Sequence, residues 1–158
     1  MKYDKIGLNI KNRLKDTQTV SLMGLLRKKM VNFEISDLIP ASPEEVYNAW
    51  LDSAKHSEMT GGLATTSREV GGAFEAWDGY IQGINLVLEA SKRIIQHWRT
   101  NEFAEGEKDS LLEIFFEEES EGTRITFRHS ELPEHGMQYK QGWVDAYFNP
   151  MKEYFSNK

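Results

Sequence analysis

Apolar and polar residues alternate from Val31 to Ile39, with Val31, Phe33 and Ile35 set against Asn32, Glu34 and Ser36. That period of two predicts a strand with one buried face. Ser42-Pro43-Glu44-Glu45 follows. A serine hydroxyl can accept the third amide of a helix, a glutamate three residues on can reach back to the serine amide, and proline loses nothing at the first helical position. Val46, Tyr47, Trp50 and Leu51 then form one helical stripe. A second short helix is expected over Asp52–Met59, ending at Gly61-Gly62. From Leu63 to Glu131 the pattern is strand and turn. Gly71-Gly72 turns the chain before Ala73–Trp77, and Asp78-Gly79 between apolar runs is a hairpin signal. Tyr80–Glu89, Arg93–Arg99, Leu111–Glu118 and Thr123–His129 follow, with turns at Ala90-Ser91-Lys92 and Glu119-Ser120-Glu121-Gly122. Asn101–Lys108 reads as a polar, mobile loop. The expectation is a meander of about six to seven strands, counting Val31–Ile39. Beyond Pro133–Gly136, helical spacing returns over Met137–Phe155, and Pro150 should kink or break that helix.

The first thirty residues stand apart. Ile6, Ile10 and Leu14 lie four apart, as do Leu22, Leu26 and Met30, yet Ile6, Leu8 and Ile10 also alternate as in a strand. Residues 1–30 carry eight Lys/Arg against two acids, a charge of +6, whereas residues 31–158 carry eleven against 23, a charge of −12. The step suggests a basic, helical extension followed by one acidic domain, and a chain of 158 residues suits one core. An acidic body is a poor match for a phosphate backbone, so no nucleic-acid partner is expected. There is no cysteine, which removes disulfides, thiolate zinc sites and cysteine nucleophiles. No apolar run approaches the length of a membrane span, and no apolar signal core follows Lys2, Asp4 and Lys5. A cytoplasmic protein is expected.

The element order, strand, two short helices, meander and long C-terminal helix, resembles the helix-grip architecture of the START and birch-pollen-allergen superfamily. Particular residues sharpen the likeness. They are Ala41-Ser42-Pro43-Glu44-Glu45-Val46-Tyr47-Asn48-Ala49-Trp50, then Gly71-Gly72-Ala73-Phe74 with Asp78-Gly79, Gly83 and Glu89. Ile94-Ile95-Gln96-His97-Trp98-Arg99 follows, and Gly142-Trp143, Tyr147 and Tyr154-Phe155 close the set. The set is most similar to the activator of heat-shock protein 90 ATPase homologue family in its C-terminal-domain type, from about Glu34 to Phe155. The resemblance implies an α+β helix-grip fold, a curved antiparallel sheet around a long C-terminal helix. It also implies a chaperone partner, a role in stress response and an apolar internal cavity. The family's eukaryotic co-chaperones carry a further N-terminal chaperone-binding domain, for which thirty residues are too few.

The candidate chemistry is sparse. His56, His97, His129 and His135 show no zinc-site spacing. Alternation puts His97 and Trp98 on opposite faces, and it puts His129 with Ile125 and Phe127 on the expected concave face. Glu117, Glu118, Glu119 and Glu121 surround a hairpin and read as a solvated edge. The glycine pairs belong to no phosphate-binding pattern. Aromatic residues are the informative class. A helix laid across a bent sheet leaves a gap, and the expected cavity is lined by Phe74, Gln96, Trp98, Ile114, Phe116, Phe127, His129, Trp143 and Tyr147, with His129, Gln96 and Tyr147 as polar tips.

The reading that follows is a non-catalytic binding domain without a cofactor, taking an apolar small molecule in its cavity or a chaperone on its surface. A polyketide-cyclase-like enzyme is the alternative, with His129 as its acid or base. A third reading docks the basic arm on an acidic partner or lipid surface.

Overall fold

The computed structural model describes residues 30–157. The helical stripes and the basic arm expected within residues 1–29 lie outside the described residues. Strand β1 spans Val31–Ile39, with Phe33 and Ile39 buried, as the alternation predicts. Helix α1, Pro43–Leu51, begins on a complete capping box. The Glu45 amide donates to Ser42 Oγ at 3.2 Å and the Ser42 amide donates to Glu45 Oε1 at 3.2 Å. Ser42→Ala is expected to cost about 1 kcal/mol, read as a lower urea midpoint at unchanged slope; an unchanged midpoint would show that the box does not hold the helix. Helix α2, Ser53–Thr60, is capped by Asp52 and ends on Gly61 in the left-handed region.

The sheet has six antiparallel strands in the order β1-β6-β5-β4-β3-β2. These are β2 Ala73–Ala76, β3 Ile81–Glu89, β4 Arg93–Thr100, β5 Ser110–Glu119 and β6 Gly122–Leu132. Six lies within the expected range of six to seven, and the stretch before β2 adds a single bridge, Thr65 to Glu75. Asn85 keeps the phase of Ile81 and is buried on the concave side opposite Gln96, and the register of β3 shifts just after it, between Asn85 and Val87. Gly83 has no side chain because the Phe74 ring lies across it, where a Cβ would collide. The loop after β4, read as polar and mobile, is anchored: Phe103 is buried and its ring meets Trp98 at 6.3 Å.

The outer face of the curved sheet carries ion pairs that run Glu89–Arg93–Glu113–Arg128–Glu34 across five strands. The concave face holds Ile94, Leu112, Ile114, Phe116, Ile125 and Phe127, all buried. Across that face lies the C-terminal helical segment, α3 Gln138–Trp143, a π-helical stretch Val144–Phe148 and α4 Asn149–Ser156. The helix is not broken at Pro150. Instead the preceding turn widens, and the Asn149 amide bonds the Val144 carbonyl five residues back. Proline has no amide for the carbonyl four residues before it, and a widened turn absorbs that mismatch. No helix among the described residues is long and apolar enough to cross a membrane.

Candidate functional site

The C-terminal helical segment presents Tyr139, Trp143 and Tyr147 along one stripe toward the sheet. A π turn rotates each residue less than an α turn does, which keeps Tyr147 in line with the other two. Facing this stripe is the turn between β2 and β3. Its backbone is left-handed at three successive residues, Trp77 (φ 52°), Asp78 (φ 58°) and Gly79 (φ 88°). A bulky residue held there costs on the order of 1–3 kcal/mol, so the surroundings must impose it. They do so from below: a Cβ on Gly62 would overlap the Trp77 indole, and the Asp78 amide bonds the Leu63 carbonyl at 2.9 Å.

Between turn and helix lies a pocket of about 180 Å³, lined by Trp77, Tyr80, Ile81, Trp98, Gln138, Tyr139, Gly142, Trp143, Ala146 and Tyr147. Six of these ten are aromatic. Neighbouring rings are inclined, Trp98 to Tyr139 by 79°, Trp98 to Trp143 by 45° and Trp143 to Tyr147 by 60°, so they make a curved wall and not a flat stack. At the mouth, the Tyr80 hydroxyl donates to Glu102 Oε2 at 3.1 Å and Gln138 Nε2 donates to Glu102 Oε1 at 2.9 Å. Burial, with Tyr139 and Glu102 nearby, pushes the Tyr80 phenol up to about 12.

Of the nine side chains expected around a cavity, Trp98, Trp143 and Tyr147 line this pocket. Phe74, Ile114, Phe116 and Phe127 are buried in the packed layer beside it. Gln96 is also buried away from the pocket, and its Nε2 donates to Asn85 Oδ1 at 2.8 Å. Asn85 in turn donates to the Ser67 and Glu69 carbonyls, which fixes the Gln96 amide and leaves its Oε1 without a protein partner.

His129 shares the concave face with Ile125 and Phe127, as alternation predicts, but it is fully buried and not a polar tip in the pocket. Trp143 Nε1–H donates to His129 Nδ1 at 3.0 Å. Ser110 Oγ gives its one proton to the Trp98 carbonyl at 2.7 Å, so the 2.9 Å contact between His129 Nε2 and Ser110 Oγ requires Nε2 to donate. The imidazole is therefore neutral with both nitrogens bonded, and burial lowers its pKa to about 3.

A second buried histidine, His56, has no counterpart in the sequence reading beyond its lack of zinc spacing. Its Nδ1–H donates to the Trp50 carbonyl at 2.8 Å, and its Nε2 accepts the Tyr147 hydroxyl proton at 2.9 Å. Burial lowers its pKa to about 4 and pushes the Tyr147 phenol upward. The Trp77 N–H lies toward the Tyr147 oxygen, and its pull on that phenol opposes the burial, but it falls outside hydrogen-bond geometry with any protein atom. Trp77, Tyr80 and Tyr139 are the aromatic pocket residues that sequence reasoning missed, together with Ile81, Gln138, Gly142 and Ala146. Tyr139 had a signal, the four-residue spacing that runs from it through Trp143 to Tyr147; Trp77 had only the Asp78-Gly79 turn beside it.

A family profile described as Activator of Hsp90 ATPase homolog 1-like protein matches residues 40–156. The chain is similar to the Activator of 90 kDa heat shock protein ATPase homolog of Dictyostelium discoideum, with 23% identity over 124 residues, 78% of this chain and 32% of that protein. It is also similar to the human Activator of 90 kDa heat shock protein ATPase homolog 1, with 28% identity over 115 residues, 72% of this chain and 34% of that protein. The chain thus spans about a third of the length of these curated relatives. The crystal structure of an HSP90 activator from Plasmodium falciparum superposes with a TM-score of 0.70 at 21% identity, covering 79% of this chain and 96% of that one, which establishes the common fold.

Proposed function

The chain belongs to the Activator of Hsp90 ATPase homolog 1-like family, and from that membership we propose that residues 31–158 act as a non-catalytic binding domain. In this reading the domain works in the cytoplasm with a chaperone of the Hsp90 kind, in stress response. It holds an apolar small molecule in its aromatic pocket, and residues 1–30 are a separate basic extension. The chaperone part rests on the family and on the activators that the chain resembles. The binding part rests on one observation, a 180 Å³ pocket walled by six aromatic side chains. Pockets with apolar walls and few polar groups are the usual form of small-molecule sites.

The polyketide-cyclase-like alternative needs an acid or base aimed at the ligand. His129 and His56 each have both ring nitrogens bonded within the protein, and neither lines the pocket. That geometry favours binding over catalysis.

Three of the four tryptophans, Trp77, Trp98 and Trp143, line the pocket, so their fluorescence reports on occupancy. Titration with flat aromatic molecules is expected to give a saturable change. Gly142 sits at the pocket mouth, and a Cβ added there meets no atom within 4 Å. Gly142→Leu is therefore expected to fill the mouth and weaken binding at least about tenfold, while helix propensity makes the domain more stable by roughly 0.5–1 kcal/mol. Saturable binding that survives Gly142→Leu undiminished would place the ligand elsewhere. For the chaperone part, the purified chain is added to an Hsp90-type ATPase. A saturable change in hydrolysis rate is the expected result, and the absence of both binding and rate change would refute it.

A further inference from the structure

None of the ten pocket-lining side chains is ionised: three tryptophans, three tyrosines, isoleucine, glutamine, glycine and alanine. The Glu102 carboxylate is bonded to residues of the pocket lining. Two lining residues hold it in place, Tyr80 through its hydroxyl and Gln138 through its amide. Both donors are neutral, and among the described residues no lysine or arginine forms an ion pair with Glu102. Two basic side chains of the adjoining segments have other partners. Arg99 bonds Asp109 and lies over the Phe103 ring, and His135 faces Glu107.

An inclined wall of aromatic rings beside a carboxylate that forms no ion pair among the described residues favours one class of ligand. Ring faces carry negative quadrupole density and attract a cation with a diffuse charge, indole most strongly. An anionic ligand would meet both the ring faces and Glu102, and no lining residue offers it a positive charge. A purely hydrocarbon ligand would use the apolar surface and neither electrostatic feature.

We propose that this pocket selects a small organic cation, a quaternary or tertiary ammonium group attached to an apolar body, with Glu102 as its specificity-determining residue. This rests on the pocket-binding reading above and names the class of ligand. The ammonium sits against the ring wall on the side toward Glu102, and the apolar body fills the rest of the pocket. The carboxylate stays at the mouth, so it acts through space on the cation and biases its approach.

Isosteres separate the charge from the shape. Phenyltrimethylammonium and tert-butylbenzene have the same outline and differ by one positive charge. Isothermal titration calorimetry on the full chain is expected to show the cation binding at least about fivefold more tightly than the hydrocarbon. Benzoate is expected to bind more weakly than either. Glu102→Gln, at an exposed position, is expected to reduce affinity for the cation about two- to fivefold and leave tert-butylbenzene unchanged. Added salt should narrow the gap between the two isosteres in the native chain and leave it unchanged in the variant. Equal affinities in the native chain, or tighter binding of the hydrocarbon, would overturn the proposal while leaving the pocket a binding site. A cation preference that survives Glu102→Gln unchanged would overturn the role given to that residue. If neither isostere binds, the pocket-binding reading itself fails.

Discussion

Trp143→Ala is expected to remove most of the stability of the domain. The indole is buried in the middle of the core, with ring centroids at 4.6 Å from Phe127, 5.0 Å from Tyr147 and 5.3 Å from Trp98. Truncating a buried tryptophan to alanine costs roughly 3–5 kcal/mol through lost contacts and the cavity left behind. This site adds a second penalty. The Trp143 N–H is the donor to His129 Nδ1, and without it a fully buried acceptor has no partner, at about 1–3 kcal/mol. The sum approaches the whole stability of an ordinary domain, about 5–15 kcal/mol. Urea melts read it directly. Trp143→Phe divides the two effects, since it keeps a ring in place and drops only the N–H. A loss under about 1 kcal/mol for the alanine variant would mean that Trp143 does not anchor the helix to the sheet.

What the sequence made legible was local, and what it hid was made by contact between distant segments. β1 follows from alternation, and the start of α1 follows from Ser42, Pro43 and Glu45, because both depend on residues within four positions of one another. The face of His129 was readable for the same reason, but its partners were not. Ser110 and Trp143 are 19 and 14 residues away and reach it only once β5 and the last helix are in place. His56 sits on a helix of weak amphipathic pattern, and nothing nearby announces that Tyr147, 91 residues on, will cover it. Phe103 lies in a polar run and is buried because Trp98 and Tyr139 offer it a surface. The pocket was placed too deep. Phe116, Phe127 and Ile114 fill the concave face, whereas the open space lies toward the β2–β3 turn, where three left-handed residues swing Trp77 across from the helix. Sequence marks that turn by Asp78-Gly79 alone and carries no signal for the conformation of the residue before it.

The two buried histidines make the domain sensitive to acid in the range where a free imidazole titrates. Folding lowers both pKa values from about 6.5, to about 4 at His56 and about 3 at His129, and burial is the main cause at each. As pH falls below about 6.5, the unfolded chain takes up protons that the folded chain still refuses. The unfolded state then binds more protons, so stability falls as pH drops and recovers as pH rises through the same window. The loss stops growing only near each folded-state pKa, where the native histidine itself begins to protonate. With two such groups the slope approaches about 2.7 kcal/mol per pH unit, or roughly 3–4 kcal/mol between pH 6.5 and 5. Urea midpoints measured at half-unit steps from pH 7 to 5 are expected to fall steadily. His129→Gln lowers stability at every pH but is expected to reduce the slope by about half, since one of the two titrating groups is gone. A flat profile from pH 6.5 to 5 in the native chain would show that the imidazoles ionise in place. That would contradict the bonding around them, because protonated His56 presents a second N–H to a Tyr147 hydroxyl whose proton it now accepts, and protonated His129 presents one to the Trp143 indole N–H. In the folded chain that protonation waits until pH approaches about 4 at His56 and about 3 at His129, so the hydrogen bonds to Tyr147 and Trp143 hold between pH 7 and 5, and the loss of stability in that range comes from proton uptake by the unfolded chain.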